Sequence, residues 1–181
     1  MIELAPPYRG EGPHALWHVS EDPSIARFEP HHRAGHLLDE LLVWAVDTRH
    51  LPLYWFPREC PRATFWANSQ TSGEDVSLFL NGDRSLRRHV IEREWLGRMR
   101  TRRAVAYRLP AGTFEPWDRF WISRVVVEPI ELVELGDLVE RHASAGIAID
   151  ADDDLLALWE RVVASTLDFS GIRLRNASMA T

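Results

Sequence analysis

Short apolar runs separated by polar turn residues follow one another along the chain, a pattern typical of β-strands. The runs over 16–20 and 41–46 are dense in apolar residues, which predicts two buried, central strands. The same pattern predicts further strands over 62–67, 88–91, 104–109, 120–127, 130–135, 147–149 and 169–176. Because most of these strands are not separated by long helices, we expect a mixed, largely antiparallel sheet of about six strands with flanking helices, which is an α+β fold.

Cap residues and apolar spacing indicate where the helices lie. Asp22 followed by Pro23 predicts a helical turn over 24–28. Further helices are expected after Asp47 through 53–55, and over 71–80, 92–100 and 137–143. The helix over 152–165 has the clearest pattern, an apolar stripe at helical spacing made of Leu155, Leu158, Trp159, Val162 and Val163. We expect this stripe to face the core and Trp159 to be largely buried.

Length and composition indicate one domain without a membrane segment. With 181 residues, 45% of them hydrophobic, the chain is large enough for one core, which we place at 14–181 after a loose, Pro- and Gly-rich arm at 1–13. No run of about 18 apolar residues occurs, and the N-terminus lacks the basic and apolar regions of a signal peptide. Cys60 is the one cysteine, so no intrachain disulfide can form. These features predict a cytoplasmic protein.

The charge pattern bears on the choice of partner. The net charge of −6 argues against a non-specific grip on nucleic acid, so nucleic acid is a possible partner but not an indicated one. All 21 basic residues are arginine. Compositional bias of the genome explains this absence of lysine, whereas a functional explanation is that arginine suits the bidentate recognition of phosphates and carboxylates. Composition alone leaves both explanations open.

Motifs for several common chemistries are absent, which argues against the P-loop, Rossmann, zincin and α/β-hydrolase classes. One histidine-rich segment contains His31, His32, His36 and Asp39. Two of its histidines could bind a metal if the segment were helical. A solvated loop is the better prediction, because the segment contains Gly35 and follows a proline, and we therefore predict no metal site.

The stretch FPRECPR places the cysteine between two arginines. Arg58 and Arg62 would lower the pKa of the Cys60 thiol and favour a nucleophile, whereas a lone cysteine is more often a small buried hydrophobic residue. Pro57 and Pro61 push their preceding residues towards extended conformations, so we expect a stiff loop. At least one of the two arginines should make a structural salt bridge there.

His18 lies in the first predicted strand, where a histidine is most often a core residue with a hydrogen-bond partner. The stretch LWHVSEDPSIARFEP also resembles the opening of ADP-ribosyltransferase-like domains, in which a strand histidine contacts the ribose of NAD. The stretch VWAVD resembles the superfamily strand that carries an aromatic residue against the nicotinamide. The resemblance implies a catalytic role for His18, a ribose contact for Ser20 and a stacking role for Trp44 or Tyr54.

The arginines extend this resemblance. The transferase glutamate of the superfamily is expected close to Asp118 and Arg119, where this chain has no glutamate. RNA 2′-phosphotransferases of the same superfamily use histidine and arginine instead, and the chain resembles them in this respect. The resemblance implies that arginines hold the phosphates of a nucleotide, with Arg58, Arg62 and Arg124 as candidates. It thus implies an NAD-dependent glycosyl- or phosphotransferase that binds a nucleotide or a phosphorylated small molecule.

A second resemblance covers most of the chain. The stretches HVSEDP, FPRECPR and STLDFSGIRLRNA, and the run over 91–96, are similar to an uncharacterised bacterial family of unknown function. This family brings no established activity with it. The acidic net charge and the missing glutamate keep an alternative open, a non-catalytic interaction domain that retains the fold. The two hypotheses differ in whether His18, Trp44 and at least two arginines line one cleft.

Overall fold

The computed structural model describes residues 15–32 and 40–178, so the arm predicted at 1–13 lies outside the described residues. The strands of this part are β1 (Leu16–Ser20), β2 (Val43–Asp47), β3 (Arg62–Trp66), β4 (Arg87–Glu92), β5 (Val105–Leu109), β6 (Glu115–Trp117), β7 (Phe120–Ser123), β8 (Glu131–Glu134), β9 (Ala148–Asp152) and β10 (Asp168–Ile172). The α-helices are α1 (Gly73–Phe79), α2 (Trp95–Thr101), α3 (Leu138–Ser144) and α4 (Leu155–Val163), and short 3₁₀ helices lie at Leu51–Tyr54, Ala111–Thr113 and Leu174–Asn176. None of these described helices has the length and the apolar composition that a membrane-spanning segment needs.

Two sheets form the framework of this α+β fold. The first has the strand order β6-β7-β2-β1-β5-β8, and all its neighbouring strands are antiparallel. Its central strands are β1 and β2, as their apolar density predicted. The second has the order β10-β3-β4-β9, in which only β4 and β9 pair in parallel. The largely antiparallel arrangement is therefore confirmed, whereas the expectation of one sheet is wrong.

The two sheets share a buried apolar layer, which explains why the strands divide into two sets. One cluster joins Val46 of the first sheet to Ile91 of the second sheet and to Leu138 of α3. On the outer face of the second sheet, Phe65 packs in a cluster with Val162 of α4. Every residue of β3 is buried. Such a strand needs cover on both faces, and it obtains this cover between the shared layer and the outer helices.

The helical turn expected over 24–28 is absent. The backbone N–H of Ile25 donates to the hydroxyl group of Tyr107 (3.0 Å), and that of Phe28 donates to the carbonyl of Val127 (2.8 Å). Phe28 and Val127 thereby form an isolated antiparallel bridge. These tertiary hydrogen bonds use N–H groups that a continuing helix would need, so the segment runs in an extended form across the first sheet.

The apolar stripe predicted on the last helix is only partly buried in α4. Leu155 and Val162 are buried, and Trp159 is half-buried with its ring edge-on to Phe169, at 5.3 Å between ring centroids. Val163 is 47% exposed, so its placement on the buried face is wrong. The physical reason is that successive residues of an α-helix point about 100° apart, and Val162 already occupies the inward direction.

Gly171 of β10 allows Trp159 to lie close to the sheet. A Cβ atom at this position would lie 2.6 Å from Leu174 Cδ1 and 2.7 Å from two atoms of the Trp159 ring. Gly171→Ala should lower the free energy of unfolding by about 1–3 kcal/mol, because the ring packs against Phe169 and would have to shift. Urea unfolding followed by circular dichroism measures this change.

Gly97→Ala is the matched control for this substitution. Gly97 lies within α2, and nothing lies within 4 Å of the position that its Cβ atom would take. Alanine should therefore stabilise the helix by up to about 1 kcal/mol. A Gly171→Ala variant that is as stable as the wild type would contradict the close packing of Trp159.

Candidate functional site

The segment from Asp47 to Trp55 connects the two sheets and contributes residues to two cavities. Asp47 Oδ1 accepts the backbone N–H groups of Arg49 (3.1 Å) and His50 (2.9 Å), which fixes the turn at the end of β2. The 3₁₀ helix Leu51–Tyr54 follows directly. The short helix predicted after Asp47 is thus confirmed.

The larger cavity, which we call the Arg87 cavity, has a volume of 490 Å³. This volume is within the range of small-molecule sites, about 300–1,000 Å³. Residues from the connecting segment, β4 and α3 line it, among them Arg49, Trp55, Arg87, Asp137, Glu140 and Arg141. Since three arginines and two carboxylate side chains lie in this wall, the lining carries an excess of positive charge.

Arg87 is a buried cation in the wall of this cavity, with 1% of its surface exposed. Nη1 donates to the carbonyl of Arg49 (2.7 Å), and Nε donates to His89 Nε2 (2.9 Å). Nη2 has no hydrogen-bond partner among the described residues. Burial lowers the pKa of Arg87 to about 9, with Asp47 acting in the opposite direction, so the group stays charged at neutral pH. An unsatisfied N–H group on a buried cation costs free energy and suggests a missing acceptor.

Trp55 and Arg141 belong to the same wall. Trp55 Nε1 is buried and has no hydrogen-bond partner in the described part of the chain. The guanidinium carbon of Arg141 lies 5.6 Å from the centre of the Trp55 ring. Arg141 Nε and Nη2 donate to the carbonyls of Leu135 (2.6 Å) and Glu134 (3.0 Å). These contacts order both side chains before any ligand binds, which lowers the entropic cost of binding.

His89 and His142 form an uncharged pair next to Arg87, with ring centroids 4.9 Å apart. His89 Nε2 accepts the bond from Arg87, and His142 Nδ1 donates to the carbonyl of Leu138 (2.6 Å). Burial and the charge of Arg87 hold the pKa of His89 well below its usual range, and burial lowers the pKa of His142 to about 4. Both rings are therefore neutral at neutral pH and add no charge to that of Arg87.

The structure places the side chains of His18 and Trp44 on opposite faces of the first sheet. The His18 ring lies 4.8 Å from that of Phe28, and its Nδ1 lies 3.0 Å from the backbone carbonyl of Trp44. The Trp44 ring is buried on the other face, edge-on to Trp117 and Phe120 at 5.5 Å between ring centroids. The two residues therefore do not line one cleft, and neither of them lines the Arg87 cavity.

Three further predicted contact residues line neither of the two cavities, although the backbone N–H of Arg58 donates to Glu21, which follows Ser20 in the chain (2.9 Å). Ser20 Oγ accepts a backbone N–H two residues further along the chain (3.1 Å). Arg58 is exposed on the loop before β3. Arg124 forms ion pairs on the surface with Glu40 (2.8 Å) and with Glu115. These residues do not meet at one site in the described structure.

The FPRECPR loop buries Arg62 and Cys60 in the core. Arg62 Nε donates to the carbonyl of Leu53 and Nη1 to that of Cys60, both at 2.9 Å, while the guanidinium carbon lies 4.8 Å from the centre of the Phe56 ring. The salt bridge expected at Arg58 or Arg62 is absent among the described residues, because carbonyl groups and a ring satisfy the buried guanidinium instead. Burial raises the pKa of the Cys60 thiol to about 12, although Arg62 acts in the opposite direction, which argues against a nucleophile.

The histidine-rich segment is only partly described. His31 and His32 are exposed, whereas His36 and Asp39 lie outside the described residues. His31 forms an isolated bridge with Leu42 next to β2. Within residues 15–32 and 40–178, no group of three or more histidine, cysteine or acidic side chains is placed to hold a metal ion.

Sequence reasoning missed Arg87, Trp55 and His50. Strand alternation implies that Arg87 and Arg88 point to opposite faces, but it does not tell which of them is buried. His50 follows Asp47 at a spacing of three residues. This acid–histidine spacing is a signal in the sequence that could have identified His50 as a candidate site residue. Of the predicted set, Tyr54 does line a cavity, the smaller one, together with His50.

Comparisons with known proteins give a family and no activity. No curated protein and no solved structure matches the chain, so the resemblance to ADP-ribosyltransferase-like domains has no support from a known relative. A family model described as a family of unknown function (DUF6886) matches residues 17–177. That range contains all the strands and helices from β2 onwards and nearly all of β1. The chain therefore belongs to this family of unknown function, DUF6886, as its similarity to an uncharacterised family predicted.

Proposed function

We propose that the Arg87 cavity binds a small phosphorylated molecule, such as a nucleotide or a phosphorylated ribose. The observation that carries this proposal is Nη2 of Arg87, an unused N–H group of a buried cation that belongs to the wall of a 490 Å³ cavity. A guanidinium group presents its donors in a planar fork that matches the oxygen atoms of a phosphate. An anion in the cavity would supply both the missing acceptor and the missing negative charge.

The charges around the cavity support an anionic ligand. Asp137 uses its carboxylate to cap α3, where Oδ1 accepts the N–H groups of Val139 (2.9 Å) and Glu140 (3.1 Å). Asp137 also lies 3.6 Å from Arg100, so its charge is already engaged away from Arg87. Of the two carboxylates in the wall, Asp137 therefore does not form an ion pair with Arg87.

A phosphate suits the donors of this wall better than a carboxylate. Arg87 and Trp55 both contribute buried N–H groups without described partners, and a phosphate has three acceptor oxygens that can satisfy several donors at once. The resemblance to the ADP-ribosyltransferase superfamily adds NAD as a candidate ligand and glycosyl or phosphoryl transfer as a candidate reaction. In this proposal Arg87 takes the phosphate contact for which the resemblance implied Arg58, Arg62 and Arg124 as candidates.

A thermal-shift panel tests the proposal. The panel contains inorganic phosphate, AMP, ADP-ribose and NAD, with ribose and succinate as controls that lack a phosphate. We expect at least one phosphorylated compound to raise the melting temperature and the two controls to leave it unchanged. A ligand at about 100 times its Kd should add about 2.7 kcal/mol to the stability of the folded state. If no phosphorylated compound stabilises the protein at millimolar concentration, the proposal fails and the non-catalytic interaction domain becomes the better hypothesis.

A further inference from the structure

A second cavity, which we call the His50 cavity, has a volume of 240 Å³. Its lining includes His50, Tyr54, Asp118, Arg119 and Ser170. It therefore brings together an imidazole and a phenol from one part of the chain and a carboxylate and a guanidinium group from another. Such a concentration of titratable groups in a small cavity is typical of a site that transfers protons.

Asp47 holds the His50 ring in one orientation and one tautomer. Asp47 Oδ1 lies 2.8 Å from His50 Nδ1, and it also accepts the backbone N–H of His50 at 2.9 Å. Burial acts to raise the pKa of the Asp47 carboxyl, but the hydrogen bonds that it accepts from the ring and the backbone of His50 hold this pKa below its usual value, so Asp47 is a carboxylate. A carboxylate at Nδ1 requires the proton on that nitrogen, which leaves the lone pair on Nε2. Among the described residues, Nε2 has no hydrogen-bond partner.

Arg119 provides an ordered cation in the same cavity. Its Nη1 donates to the carbonyl of Phe169 (2.6 Å), and its guanidinium carbon lies 5.7 Å from the centre of the Trp66 ring. Two contacts hold the group, and other N–H groups of the guanidinium remain for a ligand, because arginine has five donors. Asp118, which precedes it, adopts the left-handed region at φ 51° in the turn between β6 and β7.

We propose that the His50 cavity is an acid–base site for a small anion that carries a hydroxyl group. The anionic group binds Arg119, and the hydroxyl group faces His50 Nε2. In the step itself the O–H bond breaks, its electron pair stays on the oxygen, and the proton forms the Nε2–H bond of an imidazolium. Asp47 stabilises that imidazolium as a positioning residue and does not take the proton.

Two comparisons within the molecule separate this role from a purely structural one. His89 and His142 are also buried, but their rings pack against each other and neither lines the His50 cavity. His50 is 3% exposed and yet contributes to the wall of a cavity, so a small molecule in that cavity can contact it.

Diethyl pyrocarbonate, which reacts with the unprotonated nitrogen of a neutral imidazole, tests the proposal on the full chain. Mass spectrometry of the digested protein gives the rate at each histidine. We expect His50 to react at a rate close to that of exposed His32, and His89 and His142 to stay unmodified. Asp47→Asn should slow the reaction of His50 by at least about tenfold, because the amide no longer enforces the tautomer.

Anion binding forms the second arm of the test. Glycolate and glycerol phosphate should protect His50 from the reagent more strongly than acetate and inorganic phosphate, which lack the carbon-bound hydroxyl group. Arg119→Gln should abolish this protection. Arg87→Gln should leave the protection intact, which separates this site from the Arg87 cavity.

Three results would each overturn the proposal. In the first, His50 is modified as slowly as His142. In the second, His50 is modified at the same rate in Asp47→Asn as in the wild type. In the third, compounds with and without a hydroxyl group protect His50 equally. If Asp47→Asn does not fold, long-range ¹H–¹⁵N NMR of the wild type decides the first step. A proton found on His50 Nε2 at neutral pH would then refute the assigned tautomer, and with it the role of His50 as the group that accepts the proton.

Discussion

Replacing Arg62 with alanine should lower the free energy of unfolding by about 3–5 kcal/mol. The carbonyls of Leu53 and Cys60 would lose their donor inside the core, and an unpaired buried acceptor costs about 1–3 kcal/mol. The contact with the Phe56 ring would also be lost and a cavity would remain. Urea unfolding at neutral pH, followed by circular dichroism, gives the difference.

Arg58→Ala in the same loop is the control. Arg58 is exposed, and its contacts to Glu21 and Arg173 are made through its backbone, so the change should stay within about 0.5 kcal/mol. Equal and small effects at both positions would contradict the buried, structural role of Arg62. They would also reopen Arg62 as a candidate for phosphate binding.

The protein should lose about 3 kcal/mol of stability through His142 as the pH falls from about 6.5 to about 4. His142 has a pKa of about 4 in the folded state and an ordinary value of 6.5, so only the unfolded chain takes up a proton in this window. Its stabilising contribution is complete above pH 6.5 and is lost on acidification. Since the pKa of His89 is also depressed by burial, its contribution changes in the same direction.

His142→Asn should flatten the pH dependence of stability in this window. Asparagine can still donate to the carbonyl of Leu138, but it does not titrate. His31→Asn, at an exposed position, should leave the slope as it is. The measurement is a series of urea-unfolding curves across this pH range for the three proteins. An unchanged slope in His142→Asn would show that other groups cause the acid sensitivity.

Elements with a local signal were predictable from the sequence. A helix was expected over 137–143, and the side chain of Asp137 does accept the first N–H groups of α3. The central position of β1 and β2 followed from their apolar density. The ends of other strands could not be predicted, because they depend on contacts with distant residues or on a left-handed backbone conformation. The strand predicted over 169–176 ends at Ile172, because Arg173 adopts a left-handed φ of 57°.

The division into two sheets could not be predicted, because it depends on pairing between distant parts of the chain. β3 pairs with β4, which follows it closely, but also with β10 about one hundred residues later. The strand predicted over 120–127 shows the same dependence. It ends at Ser123, and the next residue, Arg124, turns towards Glu40 and Glu115 on the surface.

The Arg87 cavity was unpredictable for a related reason. Arg88 is only partly buried and pairs with Asp150 (2.8 Å), while the neighbouring Arg87 is enclosed by the connecting segment and α3. Nothing in the local sequence distinguishes these two arginines. The residues that the resemblance selected, His18 and Trp44, contact aromatic rings on the two faces of the first sheet.

The central claim is that Arg87 holds the phosphate of a small ligand, and calorimetric titration of AMP tests it most directly. The wild type is compared with Arg87→Gln and with Arg84→Gln. Arg84, like Arg87, makes two hydrogen bonds through its guanidinium group, but both go to backbone carbonyls and the residue lies on the surface. We expect Arg87→Gln to weaken binding by about 10- to 100-fold, the equivalent of about 1.5–3 kcal/mol for a charged hydrogen bond, and Arg84→Gln to bind as the wild type does. Wild-type affinity in Arg87→Gln, or an equal loss in both variants, would contradict the claim.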